Sequence, residues 1–138
     1  MPKASGWEKD ILAKTPIPIA KVDVASSHSM YPAQNLTDGN DRSWWIAGDA
    51  HIPQVVTLSL NDITYVTACR IMFQKDSSSY LHKVETSTDG VHWQLLFERE
   101  CTGWEFKPVP VKRKIRHLRI TIERVSEGLP GMAEVTLF

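Results

Sequence analysis

One short stretch of the sequence, AQNLTDGNDRSWW at residues 33–45, gathers oxygen-bearing side chains directly before two tryptophans. Hard cations such as calcium take about six to eight oxygen ligands, and backbone carbonyls serve as well as carboxylates. Gly39 permits a sharp reversal that would turn carbonyls toward the Asp38 carboxylate and the Ser43 hydroxyl. The same residues also fit an Asx turn in which Asp38 caps its own backbone. The local pattern therefore leaves two interpretations open, a cation site and a plain turn.

No catalytic pattern accompanies this stretch. The sequence contains none of the motifs GxSxG, HExxH, GxxxxGKS or GxGxxG, and its acidic residues form no recognisable catalytic pair. The five histidines are scattered along the chain. Three of them, His82, His92 and His117, fall in strand-like runs, which favours a solvent-facing or hydrogen-bonded ring over a metal ligand. The sequence therefore predicts a non-catalytic domain.

Length and charge limit the class of protein. The chain of 138 residues has the length of one domain. Its 16 Lys and Arg residues balance 16 Asp and Glu residues, so no overall field attracts nucleic acid or anionic lipid. No run of about 18 apolar residues is present, and the N-terminal stretch MPKASGWEKD lacks the apolar region of a secretory signal. Cys69 and Cys101 are expected to be thiols, with a single bridge between them as the alternative.

The elements that must position these residues are predicted to be strands, because apolar residues recur with period two beyond residue 18. The strand-like runs are residues 19–26, 54–60, 66–73, 80–87, 92–97, 115–123 and 132–138. Asp89 and Gly90 have the composition of a tight hairpin turn, which makes the flanking runs antiparallel neighbours. No convincing helix is found, so the pattern predicts an all-β sandwich or Greek-key barrel. Residues 1–18 are interpreted as a linker or edge segment, with Trp7 docked on the body.

Five motifs in order give the chain a family resemblance. AQNLTDGNDRSWW, PQVVTLSL, KVETSTDGVHW, KIRHLRITI and MAEVTLF follow one another as in a discoidin domain, also called a coagulation factor 5/8 type C domain. The chain is most similar to the family 32 carbohydrate-binding modules attached to bacterial glycoside hydrolases. The resemblance places the domain at residues 19–138. It implies an eight-stranded antiparallel jelly-roll β-sandwich of the galactose-binding-domain-like type.

The resemblance also implies one structural calcium ion. In this family the oxygen-rich loop and the Glu of a closing A-E-[IV] motif hold the ion together. Carried over to this sequence, the ligands are carbonyl, hydroxyl or carboxylate oxygens of Asn35, Asp38, Asn40, Ser43, Ala133 and Glu134. Glu134 lies between Ala133 and Val135 in an apolar run, where an unpaired carboxylate would be costly. A cation would explain that carboxylate.

The same resemblance assigns the tryptophans. Trp45 and Trp93 match packing positions and are expected in the core. Adjacent strand residues face opposite ways, so Trp44 is expected nearer solvent or the sheet rim. Trp104 is placed on a connecting segment, where ligand contact is the less favoured interpretation.

Ligands of the family bind to loops at one end of the sandwich, which correspond here to residues 46–53, 74–80 and 126–131. A few polar side chains there read sugar hydroxyls, and an aromatic ring stacks on the apolar face of the sugar. The candidate ligand-binding residues in this sequence are Asp49, His51, Gln74, Lys75, Tyr80 and Leu129, with Asp76 and Glu127 beside them.

The usual galactose site of the family is not reproduced. Galactose-binding members carry a His after the core Trp, an Arg after the third strand and an aromatic residue in the last loop. The corresponding places hold Ile46, Gln74-Lys75 and Leu129-Pro130. This departure predicts either a different glycan, read by His51, Lys75 and Tyr80, or a domain without a sugar site.

Three functions follow from the resemblance. The favoured one is a monomeric, non-catalytic carbohydrate-binding module that targets a secreted bacterial glycoside hydrolase to glycans. The alternative is a structural or protein-adhesion module that packs against a neighbouring catalytic domain. A membrane-binding discoidin domain is disfavoured, because the loops are polar or contain proline and terminal cysteines are absent. The family implies an extracellular, periplasmic or cell-surface location.

Overall fold

The computed structural model describes residues 6–39, 42–102 and 107–138. Within these ranges the chain forms a short helix, a single 3₁₀ turn and seven strands. The helix is α1 (Gly6–Leu12), and the 3₁₀ turn is Ala33–Leu36. The strands are β1 (Lys21–Val24), β2 (Trp45–Ile46), β3 (Gln54–Phe73), β4 (Ser79–Ser87), β5 (Gln94–Thr102), β6 (Val109–Val125) and β7 (Gly131–Leu137).

All strand pairs are antiparallel, in the order β2-β7-β3-β6-β4-β5, with β1 added beside β3. The first part of β3 pairs with β1 and with the end of β6, as at Leu58 opposite Leu118. The second part of β3 pairs with β7 and with the beginning of β6. The register of β3 and β6 shifts between Ser59 and Thr64. The two long strands therefore belong to both halves of an open sandwich.

The prediction of an all-β antiparallel sandwich is confirmed, and the strand count differs slightly from the eight that the resemblance implied. The runs predicted at 54–60 and 66–73 are parts of the one strand β3. Polar Asn61 and Asp62 interrupt the apolar alternation, which suggested a loop between two strands. The backbone stays extended there, because strand assignment follows dihedral angles and pairing rather than hydropathy.

The core lies between the two halves of the sheet. Trp45, Phe73, Leu118, Ile120 and Ile122 are fully buried within it. The alternation predicted for β6 is confirmed, since its apolar side chains face the core. Trp45 also donates a hydrogen bond from Nε1 to the Ser26 carbonyl at 2.9 Å, which satisfies its one polar atom.

The helix α1 was not expected from the sequence. Its seven residues are too few to display a clear helical period. Trp7 and Ile11 pack with Ala68 and Phe138 in a small apolar cluster beside the main core. The segment thus contacts the body of the domain, and the domain boundary drawn at residue 18 stays a prediction. No helix in the described ranges is long and apolar enough to span a membrane.

Two ring predictions need correction. Trp93 is half-buried rather than in the core, because it precedes β5 and lies under the Arg119 guanidinium, whose carbon is 4.0 Å from the ring centroid. His92 belongs to the turn before β5 and not to a strand. Trp44 is half-buried, in keeping with a rim position. Trp104 lies outside the described residues.

The two cysteines are free thiols, as expected. Cys69 is fully buried in β3, and burial raises the pKa of its thiol to about 12. Because the thiolate is the reactive form, this side chain acts as a small apolar core residue.

Candidate functional site

Three loops meet at one end of the sandwich because of how β2, β3 and β7 pair. Ile46 at the end of β2 lies opposite Gly131 at the start of β7, and Phe73 at the end of β3 lies opposite Met132. Hydrogen bonds continue this pairing into the loops. The Gln74 N–H donates to the Gly131 carbonyl at 3.1 Å, and the Ala47 N–H donates to the Pro130 carbonyl at 2.8 Å. We call this region, with residues 47–53, 74–78 and 126–130, the loop end.

Ser78 joins the second and third of these loops. Its hydroxyl donates to the Glu127 carbonyl at 3.0 Å and accepts from the Glu127 N–H at 3.2 Å. Ser126 repeats the arrangement, since its hydroxyl accepts from the Ser79 N–H at 2.8 Å. Ser78 itself is fully buried. Sequence reasoning missed this residue, because one serine in the run Ser77-Ser78-Ser79 gives no signal that distinguishes it from its neighbours.

Tyr80 supports the loop end from below. Its ring is fully buried and stacks on Phe73 at a centroid distance of 4.4 Å. Its hydroxyl accepts a hydrogen bond from the Lys75 N–H at 3.0 Å. The expectation that Tyr80 reads a glycan is therefore wrong in this geometry, because the ring has no exposed face on which a sugar could stack. The residue instead holds the backbone of Lys75 in place.

Gln74 and Lys75 lie against the turn at residues 128–131, which also carries Leu129. Gln74 Cβ lies 3.3 Å from the position that a Cβ on Gly131 would occupy, and Lys75 Nζ lies 3.1 Å from the corresponding position on Gly128. Gly128 has a φ of 80°, so the turn that admits the lysine also favours glycine for its backbone. All three side chains are half-buried. The loop end thus carries an amide, an ammonium group and an apolar side chain on loops that contact one another.

Asp49 and His51 occupy a separate part of the loop end. Both are exposed, and the Asp49 carboxylate accepts from the His51 N–H at 2.9 Å. Their turn is held by Gly48, whose N–H donates to Ser26 Oγ at 3.0 Å, and by Gln54, whose amide donates to the His51 carbonyl at 2.8 Å. Its contacts thus run toward β1. Asp76 and Glu127 are exposed on the other two loops.

The oxygen-rich stretch reaches β7 through Glu134. The Gly39 N–H donates to Glu134 Oε1 at 3.2 Å, and the Ser43 hydroxyl donates to the Asp38 carboxylate. Gly39 has a φ of 75°, which the predicted sharp reversal requires. The Asn35 side-chain amide donates to the Trp44 carbonyl at 3.0 Å, which connects the stretch to the tryptophans.

The Glu134 carboxylate lacks what a buried anion needs. It is 8% exposed, and its second oxygen, Oε2, meets no hydrogen-bond donor within the part of the chain that the structure describes. Burial, aided by the nearby Asp38 carboxylate and opposed by the Gly39 N–H, raises the pKa of Glu134 to about 7. Two neighbouring carboxylates, one with an unsatisfied buried oxygen, have the chemistry of a cation site.

The predicted ligands that lie in the described ranges fit this chemistry. Ala133 is buried next to Glu134, and Ser43 lies beside Asp38. Asn40 lies outside the described residues. No group of three or more His, Cys, Asp or Glu side chains able to hold a metal occurs in the described ranges, so a cation would depend on carbonyl oxygens as well. A groove of about 560 Å³ lined in part by Gly39, Arg70 and Glu134 gives an ion access.

The fold and the sequence pattern match a known family model. The model of the F5/8 type C domain covers residues 21–135. The chain belongs to this family. The prediction of a discoidin, or F5/8 type C, domain is therefore confirmed. The comparison with curated protein sequences finds no match.

Solved structures of carbohydrate-binding modules share the fold of this F5/8 type C domain. The CBM32 of AlyQ in complex with 4,5-unsaturated mannuronic acid is 18% identical with a TM-score of 0.78, and the match covers 91% of this chain and 98% of that chain. The module CpGH89CBM32-4 of Clostridium perfringens is 22% identical with a TM-score of 0.73, covering 86% and 93%. A truncated AlyQ with CBM32 and alginate lyase domains is 19% identical with a TM-score of 0.77, covering 90% and 33%.

Proposed function

We propose that this F5/8 type C domain is a non-catalytic carbohydrate-binding module. The observation that carries the proposal is the preformed loop end, where hydrogen-bonded loops place Gln74 and Lys75 against the turn that carries Leu129. Such a surface can donate to sugar hydroxyls while it covers part of an apolar sugar face. The structural neighbours support the proposal, since one of them is the AlyQ module in complex with an unsaturated mannuronic acid.

The module acts by holding an attached enzyme close to its polysaccharide. Ligand binding at a loop surface of this size is weak, yet tethering raises the local concentration of the enzyme without any further contact. The AlyQ structure that joins a CBM32 to an alginate lyase domain supports this arrangement. The partner is accordingly a polysaccharide-degrading domain, such as a glycoside hydrolase, in a secreted or cell-surface protein.

Glycan-array screening followed by calorimetry tests the loop end. Binding of the selected glycan is expected in the millimolar to micromolar range, and Lys75→Ala or Gln74→Ala should weaken it at least tenfold. Lys9→Ala, an exposed change on α1, serves as the control and should bind like the wild type. A folded domain that ignores every glycan on the array would favour the structural or protein-adhesion module instead.

The variant His51→Ala tests how far the bound glycan extends across the loop end. Because the turn of Asp49 and His51 is held toward β1, a loss of affinity in this variant would show that the glycan spans from Lys75 to that turn. Unchanged affinity would confine the site to Gln74, Lys75 and Leu129.

We also propose that a structural calcium ion ties the oxygen-rich stretch to β7. The ligands would be Asn35, Asp38, Asn40, Ser43, Ala133 and Glu134. The unsatisfied buried Glu134 oxygen supports the ion, because a divalent cation would neutralise it together with Asp38. The ion would supply stability and would not contact the glycan.

A further inference from the structure

A second pocket lies at the other end of β4. That strand begins at Ser79 beside the loop end and finishes at Ser87. Eight steps of about 3.3 Å each separate the two by about 26 Å. The pocket has a volume of about 210 Å³, and the lining residues that matter are Thr86, Thr88, His92, Gln94, Arg113 and Lys114. We call it the far-end pocket.

Two cations of the far-end pocket, neighbours in sequence, have no acidic partner among the residues that the structure describes. Arg113 makes one hydrogen bond among the described residues, from Nη1 to Thr86 Oγ1 at 3.2 Å. Lys114 is exposed and enters no ion pair in the described ranges.

Two other arginines of β6 form ion pairs. Arg119 pairs with Glu85 at 3.1 Å, and Arg124 pairs with Glu100 at 3.0 Å. Arg113 and Lys114 thus bring positive charge to the cavity that no carboxylate in the described ranges pairs with. This charge creates a positive potential where a small anion could be held.

Uncharged donors surround these cations. Thr86 is 2% exposed and lies opposite Gln94 in the pairing of β4 with β5. The Thr86 oxygen accepts from Arg113, and its hydroxyl hydrogen can still serve as a donor. Thr88 and Gln94 add an exposed hydroxyl and amide. This combination suits a ligand that bears several hydroxyls as well as a charge.

His92 lines the pocket and is paired with Asp89. Its Nδ1 lies 2.7 Å from the Asp89 carboxylate, and this contact raises the pKa of His92. The Asp89 carboxylate also accepts from the Val91 and His92 N–H groups and from the Ser87 hydroxyl. Its charge is therefore used within the turn and competes little with an incoming anion.

We propose that the far-end pocket binds one anionic sugar unit, a monosaccharide residue that carries a carboxylate or a sulfate group. The anionic group would lie on the Arg113 guanidinium, which can bind either group with two parallel hydrogen bonds, while Lys114, the next residue of β6, would add positive potential at the pocket. The ring hydroxyls would meet the exposed Thr88 and Gln94, while the buried Thr86 holds the Arg113 guanidinium. The volume admits one pyranose ring rather than a longer chain. This site is independent of the loop end and does not require a ligand there.

The test is a titration of the ¹⁵N-labelled domain with trigalacturonate, with galactotriose, and with a sulfated galactotriose. The neutral and acidic sugars share the galacto configuration and differ at the group that carries the charge. We expect saturable shifts at the amides of Thr86, Thr88, Gln94 and Lys114 with one or both acidic sugars, and none there with galactotriose. The amides of residues 74–80 report the loop end separately. The acidic sugar that produces saturable shifts identifies the anionic group that the pocket binds.

Variants connect the shifts to the charges. Lys114→Gln should weaken the acidic sugar at least fivefold, whereas Lys21→Gln, an exposed charge change on β1, should have no effect. Raising NaCl from 50 to 300 mM should weaken binding several-fold, because exposed charges are screened. Equal melting temperatures of the two variants would show that folding is not the cause.

Three results would overturn the proposal. One is the absence of shifts at the far-end pocket with both acidic sugars. Another is an equal response to galactotriose, which would make the charge irrelevant. The third is saturation by inorganic sulfate with no response to either acidic trisaccharide, which would reduce the pocket to a small-anion site.

Discussion

The loop end and the far-end pocket treat their polar side chains in opposite ways. At the loop end, Ser78, Ser126 and Tyr80 direct their hydroxyls into hydrogen bonds between loops. At the far-end pocket, Arg113 and Lys114 are adjacent cations without an acidic partner in the described ranges. The first region is held by its own contacts and presents a preformed surface. The second carries positive charge that no described carboxylate pairs with, and an anionic ligand would neutralise it. Binding at the two regions should therefore differ in salt dependence.

The largest expected effect is that of calcium removal, which tests whether an ion ties the oxygen-rich stretch to β7. An ion at about 100 times its Kd stabilises by about 2.7 kcal/mol, which lowers the melting temperature by roughly 8–10 °C when it is chelated. Asp38→Ala should melt like the chelated wild type and ignore EDTA. Asp76→Ala, an exposed change in a neighbouring loop, should keep the EDTA response. A melting temperature that changes neither with EDTA nor in Asp38→Ala would contradict the proposed calcium site.

Ser78→Ala tests the hydrogen bonds that close the loop end. Loss of a buried hydroxyl that serves both the N–H and the carbonyl of Glu127 should lower the free energy of unfolding by about 2 kcal/mol in urea denaturation. Ser77→Ala removes the same atom from the adjacent, exposed residue and should change it by less than about 0.5 kcal/mol. Equal losses of unfolding free energy in the two variants would contradict the role of Ser78 in joining the two loops.

His82 makes the core beneath the loop end sensitive to acid. Burial lowers the pKa of His82, with Arg99 contributing, and the ring packs against Phe73 at 4.7 Å. The unfolded chain therefore takes up this proton first. The contribution of neutral His82 to stability is full above about pH 6.5 and falls as the pH drops, with a slope of up to about 1.4 kcal/mol per pH unit.

His82→Phe should reduce that slope in urea denaturation between pH 7 and pH 5. His51→Gln changes an exposed histidine at the loop end and should leave the slope as it is. If the slope survives His82→Phe, another group carries the acid sensitivity.

The smallest expected effect concerns the far-end pocket without ligand. Because Arg113 and Lys114 repel each other, Lys114→Gln should raise the free energy of unfolding by about 0.3 kcal/mol at low salt, and 500 mM NaCl should abolish the gain. Arg124→Gln removes an exposed cation that is paired with Glu100 and should shift stability slightly in the other direction. A destabilising Lys114→Gln would contradict the view that charge is unbalanced there.

Residues with a strong local pattern were predictable. The alternation in β6 and the position of Trp45 follow from hydropathy and from the family motif. Asp38 and Glu134 were paired by the motif although 95 residues separate Gly39 from Glu134, and the Gly39–Glu134 hydrogen bond shows that the two stretches do meet. The calcium that would join them stays a prediction.

Residues whose role depends on a partner elsewhere in the chain were not predictable. Tyr80 looked like a sugar platform, because an aromatic residue beside a loop has the same signal whether its ring is exposed or buried. Trp93 looked like a core residue. In the structure its ring lies outside the core and is covered on one face by the Arg119 guanidinium, a contact that the sequence does not show. Ser78 gave no signal at all.

The sequence by itself determined the strands, the family and the pairing of an oxygen-rich stretch with Glu134, because periodicity and motif order are properties of the linear chain. The tertiary structure decided which hydroxyls hold the loops, which aromatic rings are buried and where two cations lie without an acidic partner in the described part of the chain. Those features depend on distances between side chains of different strands. Such distances are set only when β3 and β6 bend from one half of the sandwich into the other.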